Sequence, residues 1–140
     1  MIRAFTPADL PQVMELWLQG NLDAHSFISP DYWYGKRSLA AELIPQAEVY
    51  VSEQDGSLDG FLGLADGQVA GFFVRSDSRS QGVGTALLQT VMSLGQPLHL
   101  CVYEKNASAL RFYRRAGFRP HQRRTDPETG EPELVLIWTP

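Results

Sequence analysis

A single cysteine, Cys101, stands among 140 residues, so no internal disulfide can form and a reducing compartment fits. No apolar run reaches the ~18 residues that a membrane-crossing helix needs. The opening stretch MIRAFTPADL lacks the apolar segment of a secretory signal. A soluble, cytoplasmic chain without a membrane partner is the expectation. The sequence also lacks internal repeats, low-complexity tracts and linkers, so residues 1–140 are read as one domain. Nor is there a surplus of positive charge. The net charge of −4 argues against nucleic acid as the main partner.

What is present is an ordinary globular composition, 44% hydrophobic and 11% aromatic. Its charge is unevenly spread. Residues 1–66 carry ten acids against Arg3, Lys36 and Arg37, whereas residues 67–140 carry nine basic and six acidic side chains. Seven of those nine lie between Lys105 and Arg124. Solvated helix faces account for such a split, as do an acidic half that attracts a cation and a basic half that holds an anion.

Periodicity divides the chain into eleven elements. Met1–Phe5 starts a strand. Thr6 and Pro7 then open a helix whose apolar spacing (Leu10, Val13, Met14, Trp17, Leu18) ends near Gly20. After a loop over residues 21–30, a second helix runs from about Asp31 to Leu43. Strands follow at Val49–Val51, Leu58–Leu64 and Val69–Val74, with turns at Asp55-Gly56 and Asp66-Gly67. Asp59-Gly60 is a competing turn signal. A helix over Gly84–Leu94 and a strand over Leu98–Tyr103 complete a β-α-β crossover, which requires a parallel pair. A fourth helix lies between Asn106 and Gly117, and Phe118–Arg123 and Leu134–Trp138 form a closing hairpin around DPETGEP. The fold class is therefore α/β with a mixed sheet.

The stretch RSQGVGTALL, residues 79–88, places two glycines at the mouth of a helix. Glycine lets backbone N–H groups approach a ligand, and a helix start offers orphan donors to an anion. No lysine follows at the spacing of a Walker A loop. The dinucleotide fingerprint fails at Leu87, and three antiparallel strands are the wrong context for it, although Glu104 stands where that fold places its acid. A plain tight turn before a helix is the bland reading.

Arg79-x-x-Gly82-x-Gly84, after an apolar strand and before a helix, resembles the acyl-CoA pyrophosphate loop of the GNAT superfamily of N-acetyltransferases. Twenty-two residues past Gly84, Asn106-Ala-Ser-Ala-Leu-Arg-Phe-Tyr113-Arg-Arg-Ala-Gly117-Phe118 resembles the second signature of that family at every defined position. The resemblance extends over essentially the whole chain. It implies a single GNAT-like domain: a mostly antiparallel sheet with a central, splayed parallel pair and about four helices. It implies acetyl-CoA as co-substrate, its pantetheine in a gap between the strands ending near Val74 and Tyr103, with no metal. Backbone N–H groups of Gln81, Gly82, Val83, Gly84 and Thr85 would hold the pyrophosphate. Arg79 would add charge or stay solvated. The Val74 main chain would bond the pantetheine arm or thioester, and Asn106 would contact pantetheine as well as cap its helix, or cap it alone.

The implied reaction is direct attack of a primary amine on the acetyl thioester in a ternary complex. Tyr113 stands at the family position for the acid that protonates the leaving thiolate, with the adjacent Phe112 expected to fill the core slot. Some relatives carry a glutamate five residues before the asparagine; this chain has Cys101 there, which reads as an inert small hydrophobe. His25, His99, Glu104 or a held water remain as the base, and His25 is preferred because it accompanies Phe27, Tyr32, Trp33 and Tyr34 at the expected acceptor mouth. Local acids fit a cationic acceptor: a protein lysine, a protein N-terminus or a small amine. A monomer or homodimer is expected. A non-catalytic acyl-CoA-binding module on the same fold is the rival reading.

Overall fold

The computed structural model describes residues 1–140. In chain order the elements are β1 (Ile2–Ala4), α1 (Leu10–Ala24), α2 (Pro30–Leu43), β2 (Glu48–Gln54), β3 (Ser57–Ala65), β4 (Gln68–Val74), α3 (Val83–Met92), β5 (Leu98–Tyr103), α4 (Ala107–Arg115), β6 (Arg119–Thr125) and β7 (Pro132–Trp138). The seven strands form one sheet in the order β1-β2-β3-β4-β5-β7-β6. Every pairing is antiparallel except β4 with β5. The architecture is the mixed α/β sheet read from the sequence.

Two apolar clusters fix the layers. On one sheet face Val13 and Leu16 of α1 pack against Val49, Val51, Leu58 and Phe61. On the other, Leu87, Leu88 and Val91 of α3 meet Leu62, Leu64, Val69, Leu98, Leu100, Val102 and Leu136. Fully buried side chains of this kind each contribute about 1.5–3 kcal/mol. The alternation in β5, where Leu98, Leu100 and Val102 are buried, turns His99, Cys101 and Tyr103 toward the α1 side.

Two expectations change. The helix expected to stop near Gly20 runs on to Ala24, because Gly20 lets α1 pass close over the Phe73 ring and the buried Asn21 amide bonds the Trp17 carbonyl at 2.9 Å. The Asp59-Gly60 turn signal is instead a bulge inside β3, where the register shifts between Ser52 and Glu53. The turn falls at Asp55-Gly56, where both residues have positive φ.

The parallel ladder between β4 and β5 consists of Gln68 opposite His99. Beyond that point the strands part, and the edges of β4 and β5 that face each other lose their ladder partners. All seven residues of β6 are exposed, and its arginines, Pro120 and bulge blunt that edge of the sheet.

Candidate active site

The parting of β4 from β5 opens a cleft of about 980 Å³. One end lies against the start of α3. Gly82 is the N-cap of that helix, at φ +83°, a left-handed conformation that side-chain-bearing residues resist. No side chain caps it, and the first helical bond is Ala86 N–H to the Gly82 carbonyl at 3.0 Å. The N–H groups of Val83, Gly84 and Thr85 are therefore left for a ligand, at the positive end of the helix dipole. Val74, Arg79, Gly82, Gly84, Thr85 and Asn106 all line the cleft. Gln81 is exposed and its amide bonds the Asp77 carbonyl, while the Val83 side chain packs into the core. Asn106 Oδ1 caps α4 by accepting from Ala109 N–H at 3.3 Å.

Mid-cleft, Phe112 and Tyr113 both form the wall, and both pack on the core. The expected division of labour between them is absent: the Phe72 ring touches each, at centroid distances of 6.0 and 6.3 Å. Burial pushes the Tyr113 phenol well above its ordinary range, so it stays protonated at any working pH.

The far end is aromatic. His25 sits 5.0 Å from the Tyr103 ring and 5.3 Å from Trp33, with Phe27 at 5.8 Å. Asn21 fixes its tautomer: the amide donates to Trp17, so Oδ1 accepts from His25 Nδ1 at 3.1 Å. Nε2 is left as an unprotonated acceptor. Burial lowers the His25 pKa to about 4, so the ring is neutral across the physiological range. An exposed imidazole would titrate near about 6.5, so the expected base is a neutral acceptor here rather than a group that charges near neutrality. Trp33 has a buried indole N–H without a partner on the same wall.

The other basic candidates lie outside the cleft. His99 sits at the closed end of the β4–β5 pair, where its N–H bonds Gly67, and Glu104 pairs with Arg123 at 2.8 Å. Cys101 does line the cleft, and its thiol is raised above its ordinary pKa by burial, so it is no thiolate nucleophile. Arg124 Nη2 approaches its Sγ at 2.9 Å.

Sequence reasoning missed Trp17, Asn21 and Glu133, all of which line the cleft. The alternation of the last strand contained a signal for Glu133: it is in phase with Val135 and Ile137, opposite the core residues Leu134 and Leu136.

Comparison with known proteins agrees with this architecture. An acetyltransferase (GNAT) domain family matches residues 45–120. The peptidyl-lysine N-acetyltransferase YiaC of Escherichia coli is 34% identical over 140 residues, covering 99% of this chain and 96% of that one. The solution structure of apo YjaB from Escherichia coli superposes with a TM-score of 0.86 at 26% identity, covering 99% and 96% of the two chains. The PaiA N-acetyltransferase of Thermoplasma acidophilum, solved with coenzyme A, shares the fold at 15% identity, with a TM-score of 0.81 and coverage of 100% and 98%.

Proposed function

The chain belongs to the GNAT family of acetyltransferases, and on that premise we propose that it acetylates the side-chain amine of lysine in peptides. The observation that carries the reading is the parted β4–β5 pair, which joins uncapped amides at one end of the cleft to an aromatic acceptor wall at the other. The cleft lies at the upper end of the usual range for ligand sites, in keeping with a long thioester and a peptide side chain meeting in it.

Acetyl-CoA supplies an activated acetyl thioester. The Val83, Gly84 and Thr85 amides would hold its pyrophosphate, with Arg79 adding charge and Gln81 and Gly82 completing the loop. The free edge of β4 near Val74 and the Asn106 side chain would position the pantetheine. Tyr113 would give its proton to the departing thiolate, a role open to a phenol that burial keeps protonated until the sulfur leaves. His25 Nε2, neutral and fixed by Asn21, would receive a hydrogen bond from the amine and orient its lone pair.

Three features support lysine as the acceptor. Rings of His25, Phe27, Trp33 and Tyr103 offer apolar surface for a four-carbon stem. The orphan Trp33 N–H could serve a peptide carbonyl after a small shift. The named activity of YiaC points the same way. A free thiol fits the cytoplasm as the place of action. The deciding experiment measures free CoA thiol with a lysine peptide whose N-terminus is blocked, an unblocked lysine-free peptide and a small polyamine. Turnover confined to the polyamine would defeat the peptidyl-lysine reading.

A further inference from the structure

Position 101 holds a thiol where a carboxylate would be useful, yet the tertiary structure brings a carboxylate beside it from another strand. In the β5–β7 ladder Glu133 stands opposite Tyr103, and Val135 stands opposite Cys101. Glu133 and Cys101 are therefore diagonal neighbours on one face, roughly 7–8 Å apart at the backbone, which a glutamate side chain spans. Glu133 is 8% exposed and lines the cleft together with Cys101 and Tyr103. Its Oε1 accepts from Arg124 Nε at 2.8 Å. The same guanidinium reaches Cys101, so one arginine on the neighbouring edge strand ties both side chains in place. Arginine keeps its charge at all working pH, so Glu133 faces a permanent cation. Glu133 Oε2 has no protein hydrogen bond.

We propose that Glu133 accepts the proton of the amine nucleophile, supplying from β7 the base that the thiol at position 101 cannot. The proposal rests on the acetyltransferase reading. An ammonium must lose two protons to become an amide. Glu133 Oε2 takes the first, and the freed lone pair forms the N–C bond to the acetyl carbon as the C–S bond breaks. Tyr113 protonates the sulfur and is restored from solvent. Glu133, having passed the first proton to solvent, takes the second from the nitrogen. One proton per turnover appears in the medium and one remains on the thiol.

The titratable and charged groups facing Glu133 are Arg124 from β6, Cys101 and Tyr103 from β5, and Tyr32 from α2. Tyr103 donates to Asp126 at 2.6 Å, and Tyr32 donates to Glu128 at 3.3 Å, so Arg124 is the only cation that pairs with Glu133.

The test is steady-state kinetics against pH on the full chain, with CoA affinity by calorimetry. Glu133→Gln should lower kcat about 10²-fold or more and leave CoA affinity unchanged. Adding Cys101→Glu to that variant should recover at least about tenfold, because the carboxylate returns to the same space. Arg124→Gln should lower kcat by about tenfold, since the carboxylate loses the arginine that fixes its orientation. Wild-type kcat in Glu133→Gln would overturn the proposal. If that variant does not fold, wild-type kcat in Arg124→Gln overturns it instead. Wild-type protein that binds CoA yet turns over no amine would overturn the acetyltransferase reading as well, whereas an active wild type beside an equally active Glu133→Gln overturns this proposal alone.

Discussion

At the scale of single residues, the proposed chemistry rests on groups whose protonation is set by burial. Tyr113 is kept as a phenol by its apolar wall, so Tyr113→Phe should lower kcat by about 10²-fold with little change in CoA affinity. Stopped assays of free thiol and calorimetry check both halves, and an unchanged kcat would reduce Tyr113 to a packing residue. His25 makes the opposite case. Its ring is depressed to about 4 by desolvation, so any acidic limb that it contributes must lie near 4 rather than near its ordinary pKa. His25→Ala should raise KM for the amine and remove a limb at that position from kcat/KM. An unchanged KM for the amine would exclude the ring from the acceptor site. The motif made Tyr113 legible in the sequence, whereas the His25 environment comes from Asn21, Trp33 and Tyr103, three residues from separate elements.

At the scale of elements, the start of α3 and the crossing of α1 over β4 each depend on one glycine. A Cβ on Gly82 would meet only open space, but φ there is +83°, so the backbone rather than crowding demands glycine. Gly82→Asp adds strain and a negative charge beside the amides proposed to hold a pyrophosphate, and should abolish measurable CoA binding while the circular dichroism of the fold persists. Unchanged affinity would remove the loop from the site. Gly20 is different: a Cβ there would lie within 2.6 Å of the Phe73 ring carbon Cγ. Gly20→Ala should cost about 1–3 kcal/mol in urea unfolding, as overpacking does. A variant as stable as wild type would show that the Phe73 ring yields freely. The sequence marked Gly82 through its spacing, but it misread Gly20 as a helix end because the approach of β4 to α1 is a contact between distant segments.

For the whole molecule, two groups link stability to acid. Asp9 is held down to about 2, chiefly by its hydrogen bonds from Arg3, which also reaches Glu53 and so ties β1, the start of α1 and β2. His25 is held down to about 4 by burial. Both folded values lie below the unfolded ones, so the unfolded chain binds more protons and stability is lost as the medium is acidified. The His25 contribution is complete above about 6.5 and is lost as pH falls through about 4; the Asp9 contribution is complete above about 4 and is lost toward about 2. Urea midpoints should therefore decline in two stages, and Asp9→Asn should flatten the lower one. A midpoint independent of pH between 7 and 3 would contradict both assignments.

The sequence by itself determined the element order, the parallel crossover, the glycine loop before α3 and the position of Tyr113. These are local: each follows from the period of apolar residues, from a turn pair or from a motif within about thirty residues. Tertiary structure decided what lines the far end of the cleft. The register of β7 against β5 set Glu133 beside Cys101, and the packing of the loop after α1 on Tyr103 desolvated His25. Neither is written in local pattern, because register and desolvation depend on which segments meet, and those segments lie up to about a hundred residues apart in the chain.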